Sequence, residues 1–156
     1  MPDKNKSSPE YAMLPVGTVV KWGASGEAVA DMQPLINCKA LGATGATGSF
    51  VDCTTLIDSQ KQFISDLPEG PEKSLGFIDD PSNASFTSFL NAAEKRQTIQ
   101  FYIELPNGRT ATMVMALSGW QMNEITAPAS NVIQITVNGK QNNIFWGYNE
   151  PKPDNP

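Results

Sequence analysis

The chain has 156 residues, with 16 acidic against 11 basic for a formal net charge of −5, two cysteines and no histidine. That length suits one domain with a real core. The acidic balance opposes tight binding to a phosphate backbone, which needs clustered Lys and Arg. The missing histidine removes the usual general base, the Ser-His-Asp and Cys-His nucleophile arrangements, and most zinc sites.

Residues 1–14 are polar and read as a flexible arm without the apolar core of a signal peptide. No apolar run approaches the roughly 20 residues of a membrane helix, so no membrane partner is expected. These features set an expectation of assembly in a cytoplasm, with Cys38 and Cys53 as reduced thiols. A disulfide across the glycine loop between them is the alternative.

"PVGTVVKW" places Val16, Thr18, Val20 and Trp22 on one face with period two, a strand. "LINCKALG", residues 35–42, is a short strand candidate. "GATGATGS" is too glycine-rich for a regular element and reads as a mobile loop. "FVDCTTL", residues 50–56, reads as a strand, "KQFISDLP" as another ended by Pro68 and the turn around Gly70, and "KSLGFIDD" as a further one.

A helix over about 83–95 follows, with Ser82 or Asn83 as its cap. Its apolar stripe is Phe86, Phe89, Leu90 and Ala93. In "TIQFYIEL" the residues Ile99, Phe101, Ile103 and Leu105 alternate with polar ones. "PNGR" is a hairpin turn, because Asn-Gly accepts positive φ. "TATMVMAL" returns with Ala111, Met113, Met115 and Leu117 on the matching face. "NVIQITVNGK" is a strand expected to turn at Asn138-Gly139, and "NIFW" is a last short strand. Residues 148–156 form a proline-rich tail. The sum is about eight strands and one flanking helix, a mainly-β sandwich or barrel spanning residues 15–147.

The candidate sites sit in "GATGATGSFVDCTTLIDSQKQFISDLPEG". Gly42, Gly45 and Gly48 have a GxxGxxG spacing. The stretch lacks the Lys of a phosphate loop, and a strand pattern follows where a dinucleotide fingerprint needs a helix. Cys53 has no base to activate it and reads as a small apolar residue, buried or half-buried. Asp52, Asp58 and Asp66 are spaced by six and eight, unlike a calcium loop. Asn83-Ala84-Ser85 matches a glycosylation triplet, but a helix cap explains it better. Met113, Met115 and Met122 suit core packing or an adaptable interface. No catalytic set, metal site or cofactor is expected.

The order of these elements resembles the major tail tube proteins of long, flexible, non-contractile phage tails of the lambda-like kind. Three patterns carry the resemblance. One is the acidic-Thr-Leu-Asp run from Asp52 to Asp58, leading to "LPEG". The second is the helix followed by an aromatic strand and the "PNG" hairpin, Phe101 to Gly108, continuing into "SGW". The third is the last strand ending in "ITVNG". Together they span roughly residues 15–140. The chain departs from the pattern at Cys53, where a polar residue is usual. Nothing in it reads as a C-terminal immunoglobulin-like decoration domain, which implies a bare tube.

The resemblance implies a structural protein that forms hexameric rings stacked into a hollow virion tail tube. Its partners are then itself and other tail proteins (tape measure, terminator and tip). Viral DNA passes through without tight binding. Four strands per subunit give a barrel of about 24, with a backbone radius of roughly 24 Å at a tilt near 40°, enough for a duplex about 20 Å wide. A bore lined with carboxylates repels phosphates. Glu104, opposite the core face of its strand, is a candidate for lumen or outer-surface charge. Gly42, Gly45, Gly48, Asp52, Asp58 and Asp66 are candidates for contacts between subunits or rings. Two other readings stand beside this one. The first is a tube or tail-terminator protein of a contractile tail or secretion system. The second is a small-ligand-binding β-barrel module using Trp22, Trp120 and Trp146.

Overall fold

The computed structural model describes residues 7–126 and 132–149. Most of the expected proline-rich tail, from residue 150, and residues 1–6 of the expected arm lie outside the described residues. Within the described part of the arm, Ser8–Tyr11 forms a single helical turn, α1, closed by Ser7 and Glu10 in a capping box.

The described residues form nine strands. These are β1 (Val19–Ala24), β2 (Gln33–Pro34), β3 (Cys38–Ala40), β4 (Phe50–Asp52), β5 (Phe63–Ser65), β6 (Glu72–Ile78), β7 (Thr98–Glu104), β8 (Arg109–Met122) and β9 (Gln134–Tyr148). Seven make one antiparallel sheet in the order β2-β1-β7-β8-β9-β6-β3, and β4 pairs only with β5.

Alternation builds the centre of the sheet. Ile99, Phe101 and Ile103 stand opposite Met115, Met113 and Ala111, and all six are buried. The Asn107-Gly108 turn closes this pair, with Gly108 N–H donating to the Leu105 carbonyl at 3.0 Å. β8 and β9 then run on together as a long ribbon, interrupted by two register shifts at Met113/Met115 and Leu117/Gly119. Such shifts bend a ribbon and increase its twist. β7 flanks only the first half of β8, up to Ala116, and β6 flanks only the first half of β9, up to Lys140.

The topology curls this sheet. Its two outermost strands, β2 and β3, are joined by residues 35–37 alone. Four Cα steps span at most about 14 Å. The two edges of a seven-stranded sheet can come that close only if it rolls into a nearly closed barrel.

The helix α2 (Ala84–Glu94) packs against β8 and β9, with Phe86, Phe89, Ala92 and Ala93 in the core. Asn83 caps it, its Oδ1 accepting from the N–H groups of Ser85 at 3.0 Å and Phe86 at 3.3 Å. Phe89 ties three strands together, with ring centroids 5.5 Å from Trp22, 5.5 Å from Phe77 and 6.3 Å from Phe101. The mainly-β architecture and its single long helix therefore follow the sequence reading closely. Asn83→Ala removes both cap bonds and is expected to cost about 1 kcal/mol, seen as a fall of a few degrees in the thermal midpoint.

Three details differ from the sequence reading. Asn138-Gly139 is not a turn, and β9 passes straight through it to Tyr148. Cys53 is exposed, because the hairpin that carries it stands away from the body. Met122 is exposed near the end of β8, whereas Met113 and Met115 are fully buried.

Candidate assembly surface

The glycine loop is held, not free. On β6 the inward positions are Lys73, Leu75 and Phe77, and on β9 they include Ile135, Val137 and Gln141. Lys73 and Gln141 thus continue the core stripes with polar groups, and both are almost fully buried. Each is satisfied by the loop. Lys73 Nζ donates to the Ala43 carbonyl at 2.8 Å and to Thr44 Oγ1 at 2.7 Å. Gln141 Nε2 donates to the Gly45 carbonyl at 2.8 Å, while its Oε1 accepts from Gly45 N–H at 3.3 Å. The loop therefore closes one end of the barrel interior. Gly48 is needed for close approach: a Cβ there would run into the Asp66 carbonyl oxygen.

Burial of Lys73 lowers its ammonium pKa from 10.5 to about 8, and the Cys38 thiol beside it partly opposes this. Burial of Cys38 raises its thiol from 9.0 to about 11, opposed by backbone hydrogen bonding at Ala40 and by the charge of Lys73. Between the two Lys73 values the unfolded chain binds more protons, so stability rises with pH. Between the two Cys38 values the folded chain keeps a proton the unfolded chain loses, so stability falls. Urea unfolding is expected to show a gain of at most about 1 kcal/mol from pH 8 to 9, then a plateau. Lys73→Met abolishes the gain and leaves a decline above pH 9.

Beyond the loop, β4 and β5 form a hairpin based at Ser49 and Asp66, where Asp66 N–H donates to the Ser49 carbonyl at 2.7 Å. Thr47 and Glu69 pair just below it, and Glu69 binds Lys140 on β9 at 2.5 Å. All six strand residues of the hairpin are exposed. Phe50, Val51, Leu56, Ile57, Phe63 and Ile64 place apolar side chains in solvent there. A two-stranded hairpin is marginal by itself in water, and a contiguous exposed apolar patch marks an interaction surface.

The candidate aspartates all belong to this hairpin and its base, but do not converge. Asp52 accepts from Thr54 N–H at 2.9 Å, and hydrogen bonds to Thr54 hold its carboxyl below the usual range. Asp58 accepts from Thr55 N–H at 2.8 Å, and Asp66 from Leu67 N–H at 2.7 Å. Each stabilises its own turn. Glu104, on β7, lies on the sheet face away from the core, in register with Val19 and Thr110. On the same face, two residues along, stand Lys21, Tyr102 and Thr112. The three tryptophans share no pocket among the described residues: Trp22 leans on Phe89, and Trp146 lies beside the glycine loop.

The sheet also leaves two strand edges open among the described residues. Residues 118–122 of β8 lie beyond the reach of β7, and residues 142–148 of β9 lie beyond the reach of β6. Phe145, Trp146 and Tyr148 on the second edge are exposed. Open edges invite pairing with another chain. Sequence reasoning missed these edges, because the false turn at Asn138-Gly139 hid the length of β9. It also missed Lys73 and Gln141, whose loop partners lie 29 or more residues away.

A family model described as the phage tail tube protein family matches residues 13–149. No curated protein matches the sequence significantly. Several solved structures share the fold. The sheath–tube complex of PVC, an extracellular contractile injection system, in its extended state, superimposes with a TM-score of 0.70 at 9% identity, covering 92% of this chain and 99% of that one. The tail of an empty GTA particle with C6 symmetry gives 0.65 at 8% identity, covering 88% and 99%. The SPP1 tail tube gives 0.63 at 6% identity, covering 85% and 77%.

Proposed function

The chain belongs to the phage tail tube protein family, and from that premise we propose that it polymerises as stacked hexameric rings into the hollow tube of a long, non-contractile tail. It is a structural protein and not an enzyme. The observation that carries the reading is the pairing of two open strand edges, residues 118–122 and 142–148, with a projecting apolar hairpin. A lone subunit leaves all three in water. A ring joins the edges of neighbouring sheets into one continuous barrel, and the hairpin reaches the next subunit or the next ring. Sixfold symmetry follows the GTA tail, which has C6 symmetry.

In this reading Asp52, Asp58 and Asp66 lie on the contact element. Gly42, Gly45 and Gly48 set its stance by letting the loop pack closely. The arm, residues 1–14, and the tail, residues 148–156, are ring-to-ring contacts flanking a single tube domain of residues 15–147. The sheet face bearing Glu104 lines the bore. Lys21 offsets Glu104 there, so phosphates are repelled weakly and slide past hydroxyl and amide groups such as Thr112 and Gln100. Glu104→Lys is expected to slow DNA ejection from purified particles while tube length stays unchanged. The tube is assembled in the host cytoplasm and meets the tape measure, terminator and tip proteins of the tail.

One observation favours a second reading, the tube of a contractile system: the likeness to the PVC sheath–tube complex, at 0.70, exceeds that to the SPP1 tube, at 0.63. Negative-stain microscopy of native particles separates the two. A bare tube supports the first reading, and a tube inside a sheath supports the second. The same microscopy on concentrated purified protein is expected to show rings or tubes. A chain that stays monomeric even beside its tail partners contradicts both.

A further inference from the structure

The curled sheet does not quite close, and the gap has a shape. Between the start of β1 and the free side of β3 lies a cavity of about 670 Å³. Its walls include Val16, Val20, Leu35, Ile36 and Leu41, and the one charged side chain lining it is Lys39. Val16 is 81% exposed and Ile36 is 80% exposed, so the apolar surface at its mouth faces water. Elsewhere on the same subunit, the tip of the β4–β5 hairpin presents Leu56 and Ile57, 106% and 93% exposed. Asp52 and Asp58 flank that apolar pair on the hairpin.

We propose that the seam groove receives the hairpin tip of a second copy, with Leu56 and Ile57 of one subunit seated against Val16, Ile36 and Leu41 of the next. The acidic flank of the hairpin then faces Lys39. Polarity and charge match: an exposed apolar pair with carboxylates meets an apolar slot with a single cation. A burial of this kind gives the exposed hairpin the packing it lacks alone. The groove and the hairpin are different patches of one surface, so the contact is heterologous. Contacts of that type propagate into rings or filaments and do not stop at a closed dimer. The inference rests on the tube reading above and adds the receptor for its projecting element.

Two singly labelled chains test it, each in a Cys38→Ala, Cys53→Ser background. One carries Leu56→Cys and the other Ile36→Cys. Mixed, allowed to assemble and mildly oxidised, they are expected to yield the mixed cross-linked dimer as the dominant product. Leu56→Asp with Ile57→Asp is expected to raise the concentration needed for assembly about tenfold or more. Its circular dichroism spectrum and thermal midpoint stay those of the parent, since both side chains lie outside the core. Tubes that form normally without the mixed cross-link overturn the groove assignment and leave the tube reading intact. Cross-linking of Ile36→Cys to a Met13→Cys chain instead assigns the groove to the N-terminal arm and likewise overturns it. A parent chain that never assembles overturns both.

Discussion

Phe89→Ala is expected to lower the thermal midpoint by about 10–15 °C. Phe89 is fully buried and touches Trp22 on β1, Phe77 on β6 and Phe101 on β7. These strands lie on opposite flanks of the β8–β9 ribbon, so the ring is what the two halves of the curled sheet share. Truncation leaves a cavity lined by three aromatic rings, which cannot collapse easily because each sits on a different strand. The cost is about 3–5 kcal/mol against a total stability of about 5–15 kcal/mol for an ordinary domain. Phe145→Ala is the contrast. That ring is exposed on β9, so its loss changes stability by less than about 0.5 kcal/mol. Thermal unfolding of the two variants beside the parent checks both values. Equal midpoints for Phe89→Ala and Phe145→Ala would contradict the assignment of the core.

Excising the hairpin is expected to abolish assembly while leaving the subunit folded. The Asp66 N–H already meets the Ser49 carbonyl at 2.7 Å, so residues 50–65 can be replaced by an Asn-Gly turn without moving the base. None of the removed residues belongs to the buried cluster. The thermal midpoint should therefore stay within a few degrees of the parent. In the tube reading, however, every subunit loses its projecting contact. Sedimentation is expected to show monomer at concentrations where the parent is fully polymerised. Normal tubes from the excised chain would place the subunit contact elsewhere and remove the role given to Asp52 and Asp58.

Local rules carried much of this structure. The alternation in Thr98–Glu104 and Arg109–Met122, with the Asn107-Gly108 turn between them, gave the central hairpin. The spacing of Phe86, Phe89 and Ala93 after Asn83 gave the helix almost to the residue. What local rules could not see was chain approaching chain. Asn138-Gly139 has turn chemistry, yet Gly139 serves close packing: a Cβ there would lie 2.9 Å from the Ala116 carbonyl oxygen at a register shift. Lys73 reads as an ordinary strand residue, and only the distant Ala43 carbonyl and Thr44 hydroxyl explain its burial. The glycine loop looked mobile because its glycines permit motion, whereas the atoms that hold it belong to β6 and β9. The candidate aspartates were found, but their roles in separate turns follow from hairpin geometry that spacing alone does not reveal.

The resemblance to tail tube proteins rests on the order of elements, and the model of that family matches residues 13–149. The identities to the solved tubes named above are 9% or less. At that level the fold persists through its pattern of buried positions and not through particular side chains. In the proposed tube, assembly rests on the hairpin, the seam groove and the two open edges.

A helical reconstruction of the assembled tube by cryo-electron microscopy tests the central claim most directly. The expected result is six subunits per ring, with residues 142–148 of one subunit hydrogen-bonded to a neighbouring sheet and the β4–β5 hairpin buried against another copy. A tube of different symmetry, or one in which residues 142–148 and the hairpin both remain in solvent, would contradict it.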